Sequence, residues 1–163
     1  MAATEQRAWH VGTYEPLAWA ETAVKAVAFV VAYVAFVHAL DRGLHSPSGL
    51  RIAELALLGI AELGILLTIV DRVLERELIA LGFVVFNNAA HASMLYALLA
   101  IPGPGGLLSI FCALMLGGEL IKWRWLHETR PTLRELSLMA AQAFVVAYAA
   151  IYLVALVLWQ VAR

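Results

Sequence analysis

The stretch 83–94, FVVFNNAAHASM, places Asn87, Asn88, His91 and Ser93 inside an otherwise apolar run. At ~100° per residue of a helix, Asn87, Asn88 and His91 fall within about 100° of one another, so they form one polar face. Asparagine oxygens can accept hydrogen bonds or ligate a cation, and a histidine beside a carboxylate can pass a proton. Such a carboxylate exists: Glu62 stands in the middle of a second apolar run. Lys25 and Glu119 are embedded in two others, and Glu21 precedes Lys25 by four residues. Lys25 is expected to pair with Glu119 or with Glu21, and Glu62 to meet the Asn87/Asn88/His91 face. The candidates for an ion or proton pathway are thus Glu62, Asn87, Asn88, His91, Glu119 and Lys25.

The same residues have a plainer use. Asparagine and histidine hydrogen bonds join membrane helices at ~0.6 kcal/mol each. A partnered buried charge pair can fix helix register without any further role. Adjacent asparagines could also break a helix and turn its carbonyls toward a site.

Other chemistry has less support. No HExxH, GxSxG or Walker A pattern occurs, so the common hydrolase and nucleotide-binding signatures are missing. The single cysteine, Cys112, rules out an internal disulfide or a cysteine-based zinc site and reads as a packing residue beside Met115 on the Glu119 face. No metal site and no cofactor are expected. A haem between His38 and His91 is disfavoured because they lie at about 31 and 20 Å of helix rise from one end. His10, His45 and His127 read as interfacial, with 127–129 as a connector. The glycine-rich 102–106 reads as a turn, not a phosphate cradle.

These groups need elements to hold them. The chain is 63% apolar, against ~45–50% for a soluble domain, and its charges gather between apolar runs. A net charge of −1 gives no basis for a nucleic-acid partner. Segments 17–40, 50–70, 78–101, 107–126 and 133–161 each approach or exceed the ~20 residues a bilayer crossing needs. Pro16 suits the first turn of the first span. The polar loop 41–49 separates the first two spans, and a capping box at 132–135 opens the fifth. Between the second and third, the charge cluster 71–77 contains no glycine or proline. A single helix from Leu50 to Leu99 would be about 75 Å long, so the chain must turn within that cluster. No cleavable signal is expected, and the first span is read as retained.

Helix rise then sets depths. Asn87, Asn88, Glu62 and Gln142 fall about 14–16 Å from one interface, and Lys25 and Glu119 about 10–12 Å. Glu54 is expected to pair with Arg51 near the opposite interface, in contact with solvent. Ala28, Ala32 and Ala35, and likewise Ala143, Ala147 and Ala150, would allow close backbone approach. Tyr148, Tyr152 and Trp159 form a stripe about 40° wide, suited to helix packing or lipid contact.

The side bearing the N-terminus carries Arg7, Arg72, Arg76, Lys122, Arg124, Arg130 and Arg134; the other carries Arg42, Arg51 and Arg163. The positive-inside rule puts the N-terminus in the cytoplasm. Trp9, Tyr14, Trp19, Trp123 and Trp125 would belt the inner interface and Trp159 the outer. The expected fold is one all-α integral membrane helical bundle of about five spans over 1–163, in the cell's inner or plasma membrane. Its partners would be the bilayer and either further copies or other membrane subunits. A non-enzymatic accessory or assembly subunit is the leading functional expectation. A small proton- or cation-linked carrier or channel comes second, and an intramembrane redox or lipid enzyme third.

Overall fold

The computed structural model describes residues 8, 9, 11, 15–47, 49–101, 106–129 and 137–161. They form α1 (Pro16–Ala39), α2 (Gly49–Glu75), α3 (Leu78–Ala100), α4 (Gly106–Thr129) and α5 (Leu138–Val161). All five helices are long and apolar enough to cross a membrane. Among the described residues there is no strand.

The helix ends follow local chemistry. Glu15 is extended and Pro16 occupies the first turn of α1, where proline's missing N–H removes no intrahelical bond. The Glu15 carboxylate accepts the Trp125 indole N–H at 2.8 Å, tying the start of α1 to the end of α4. At the other end of the molecule, His45 N–H donates to Leu99 O at 3.0 Å.

Helix α2 continues through the charge cluster to Glu75, beyond the expected end at Val70. The reversal is made by Arg76, whose φ is 58°. Arg76 N–H donates to Val73 O at 3.2 Å and Glu77 N–H to Arg72 O at 3.4 Å. This is a Schellman closure with arginine where glycine is usual. The expected turn is there, but a non-glycine residue makes it.

Helix α3 runs unbroken through Asn87 and Asn88, so the possible break at the asparagines is not found. Helix α4 absorbs 127–129, read above as a connector. Thr129 Oγ1 donates to Trp125 O at 2.8 Å, and Arg124 meets Glu128 at 2.7 Å. Helix α5 begins at Leu138, where Ser137 Oγ accepts the Ala140 N–H at 3.2 Å. The capping box at 132–135, most of the 102–106 turn, and Arg7, His10, Tyr14, Arg130, Arg134 and Arg163 lie outside the described residues.

The helices close into a ring in the order α1, α4, α5, α2, α3, with α3 returning to α1. Helices α1 and α3 rise together, in contact through Trp19–Phe83, Phe29–Phe86 and Phe36–Tyr96 at ring separations of 5.3, 5.5 and 5.2 Å. The centre is filled by Leu58, Met94, Phe111, Met115 and Tyr152, all fully buried. Cys112 is buried beside them, as its place on the Glu119 face suggested.

Ala28, Ala32 and Ala35 are fully buried, so α1 does use small residues for close approach. Ala143, Ala147 and Ala150 are exposed, which corrects the matching expectation for α5. That helix instead turns its larger Val145, Tyr152 and Trp159 inward. Trp159 is 7% exposed and therefore packs inside the bundle instead of belting its outer rim. Trp9, Trp19 and Trp123 remain exposed. Large apolar residues such as Val30, Leu67, Phe86, Leu120 and Val154 face outward. That surface is suited to lipid and would be a liability in water.

Candidate functional site

The buried polar groups sit in separate clusters, each fixed by a different helix pair. Lys25 lies one turn beyond Glu21 on α1, and the close α1–α4 approach brings Glu119 to the same level. Lys25 Nζ is 2.6 Å from Glu21 Oε1 and 2.7 Å from Glu119 Oε1. The two partners treated as rivals both bind it. A fixed charge this deep in apolar surroundings is expensive unless paired. Sharing one ammonium between two carboxylates uses two of its three N–H donors, and Glu119 Oε2 is left buried without a donor.

A second cluster joins α2 to α3. Asn88 Nδ2 donates to Glu62 Oε1. Glu62 Oε2 and Asn87 Oδ1 are both buried without hydrogen-bond partners. Nearby, the Tyr148 hydroxyl donates to Ala61 O at 3.3 Å, joining α5 to α2. Gly64 permits this approach, since a Cβ there would collide with the Tyr148 hydroxyl.

The third cluster crosses the ring from α3 to α5. His91 is fully buried. Its Nδ1 lies 2.8 Å from Asn87 O and its Nε2 lies 2.7 Å from the Tyr152 hydroxyl. A carbonyl can only accept, so in the neutral ring Nδ1 carries the proton and Nε2 accepts from Tyr152. Phe111 stands edge-on to the imidazole at 5.3 Å and Tyr148 stacks on Tyr152 at 6.4 Å.

This geometry divides the expected polar face. Asn88 reaches Glu62, whereas His91 is used by Tyr152 and Asn87 O; the predicted Glu62–His91 grouping is therefore corrected. Asn87, Asn88 and His91 lie close in helical angle, but once the ring is closed the Asn88 side chain meets α2, the His91 ring meets α5, and Asn87 Oδ1 is left without a hydrogen-bond partner. Tyr152 was the residue passed over. Helix rise alone could not have found it: a fifth span starting at 133 puts Tyr152 about 28 Å up, and only the observed start of α5 at Leu138 brings it to about 21 Å, level with His91 at about 20 Å. The one hint was chemical, since a buried tyrosine hydroxyl usually finds a partner.

At the opposite end of the bundle, Arg51 Nη1 binds Glu54 Oε2 at 2.6 Å. This pair was expected to be solvated. Glu54 is only 1% exposed, however, and its Oε1 has no hydrogen-bond partner. Packing closes over it because α2 faces Glu54 and Leu58 inward on successive turns. His38 is exposed on α1 and turns its Nδ1 back to Val34 O at 2.8 Å. Among the described residues no three histidine, cysteine or acidic side chains converge as a metal site would require.

No protein-family model, curated protein or solved structure matches the chain.

Proposed function

We propose that this chain is a multi-pass integral membrane protein acting, without enzymatic chemistry of its own, as an accessory or assembly subunit of a larger membrane complex. What supports the reading is the use to which the buried polar groups are put. Lys25 joins α1 to α4, Glu62 with Asn88 joins α2 to α3, and His91 with Tyr152 joins α3 to α5. Polar bonds between helices specify which helices pair and in what register, since lipid competes poorly for them. The apolar exterior leaves broad surface for other subunits or further copies. The arginine and lysine distribution favours a cytoplasmic N-terminus, in an inner or plasma membrane.

Native extraction in polymer nanodiscs tests this reading. The chain should run with a second membrane protein, or further copies, in fixed ratio, and its deletion should lower that partner's level. A lone chain in native bilayer particles overturns it. For the orientation, Arg124→Cys and Arg42→Cys in a Cys112→Ala background should react with impermeant maleimide from the cytoplasmic and the opposite side respectively. The reverse pattern overturns the assignment.

The second reading, a small proton- or cation-linked carrier, is favoured by the acceptor oxygens left without donors on Glu54, Glu62, Asn87 and Glu119. Flux in proteoliposomes that falls to the empty-liposome level with Glu62→Gln would make it the better account.

A further inference from the structure

Among the described residues, Glu54, Glu62 and Glu119 each keep one buried carboxylate oxygen without a hydrogen-bond partner. Two of them have a cation on the other oxygen: Arg51 holds Glu54 at 2.6 Å and Lys25 holds Glu119 at 2.7 Å. Glu62 differs, since its Oε1 accepts from the neutral Asn88 amide. Glu62 also stands at the midpoint of the 27-residue α2, too far from either end for a short side chain to reach a headgroup.

The surrounding elements bring it no cation. Helix α2 packs against α3 and α5. From α3, both ring nitrogens of His91 are engaged, by Asn87 O and by the Tyr152 hydroxyl. From α5, Tyr148 donates to Ala61 O and Tyr152 to His91. Along α2 itself, Arg51 is bound to Glu54, and Arg72 lies 3.7 Å from Asp71 near the helix end. Lys25 of α1 is held between Glu21 and Glu119.

We propose that Glu62 is a proton-binding site, its carboxyl held as the neutral acid where α2 meets α3. An ionised carboxylate without a cation is costly in an apolar interior, and such a group takes up a proton instead. The acid keeps the Asn88 bond through its carbonyl oxygen and turns Oε2 from an acceptor into a donor. Asn87 Oδ1, one residue from Asn88 on α3, is buried and still without a donor. Loss of the proton would put an unpaired charge at the joint, so the α2–α3 pairing is firm while Glu62 is protonated and weakens as rising pH ionises it. The proton site does not depend on the assembly reading above.

Infrared spectroscopy of the full chain in lipid nanodiscs, with glutamate carboxyls carbon-13 labelled, tests the proposal. At neutral pH a protonated-carboxyl C=O band is expected that moves on labelling, is absent from Glu62→Gln and remains in Glu119→Gln. Glutamine mimics the neutral acid, so Glu62→Gln should unfold at the wild-type midpoint, whereas Glu119→Gln takes a charge from Lys25 and should unfold earlier. As pH is raised, loss of the band should coincide with a fall of the wild-type midpoint relative to that of Glu62→Gln. No protonated band, a band that survives Glu62→Gln, a Glu62→Gln variant no more stable than Glu119→Gln, or a midpoint that holds while the band is lost would each overturn it.

Discussion

Lys25 on α1 and Glu119 on α4 lie 2.7 Å apart, and the glycine beside Glu119 is what lets the lysine stem reach it. A Cβ on Gly118 would stand 2.9 Å from Lys25 Cε and 3.1 Å from Lys25 Cγ. The lysine cannot swing aside, since both Glu21 and Glu119 hold its end. Gly118→Ala should therefore destabilise the bundle by about 1–3 kcal/mol, as overpacking does. Gly59 and Gly82 meet nothing within 4 Å at the same position, so alanine there should be neutral or stabilising by up to about 1 kcal/mol. Detergent-titrated unfolding, read by thiol reaction of the fully buried Cys112, measures all three.

The Lys25 cluster should respond to charge removal in order. Lys25→Met strands the buried Glu119 carboxylate and the half-buried Glu21 carboxylate and should cost about 3–5 kcal/mol, as breaking a buried pair does. Adding Glu119→Leu should recover part of the loss, and adding Glu21→Leu as well should recover most of it. The same unfolding titration decides. A triple variant no more stable than Lys25→Met would mean that the three do not form one electrostatic unit.

His91 and Tyr152 should be energetically coupled. A double-mutant cycle with His91→Leu and Tyr152→Phe is expected to give an interaction of about 0.6–1.7 kcal/mol, the range for hydrogen bonds between membrane helices. In nitrogen-15 spectra of the wild type, Nδ1 should be the protonated nitrogen, because Asn87 O can only accept. In Tyr152→Phe, Nε2 should lose the shift caused by its hydrogen bond.

Arg76 carries the reversal between α2 and α3 at a φ of 58°. Left-handed backbone is much less accessible to β-branched residues than to glycine. Arg76→Val should lower the unfolding midpoint more than Arg76→Gly, and the gap is a measure of the turn's conformational cost.

The sequence alone settled much of the architecture. Apolar run length announces the helices, because a bilayer crossing needs a minimum length and excludes unpaired backbone groups. Matched rise along α1 and α4 was enough to bring Lys25 and Glu119 together, since helix geometry converts residue number into depth. Pro16 marks its helix start by chemistry any sequence displays. The turn at Arg76 was legible only through the length limit, as no glycine or proline signals it.

What remained hidden was azimuth: which neighbour each helix face meets. Asn88 and His91 share a face of α3, yet one bonds α2 and the other α5, because the ring order puts α2 beside α3 and leaves α5 across the centre. The same cause buried Glu54 and Trp159 and left Ala143, Ala147 and Ala150 outside. Length and composition determine that these helices exist and, where the helix ends are marked, how far along its helix each polar group lies. Only the packing of all five decides direction, because contacts between helices distant in sequence are set by the fit of whole faces and not by local pattern.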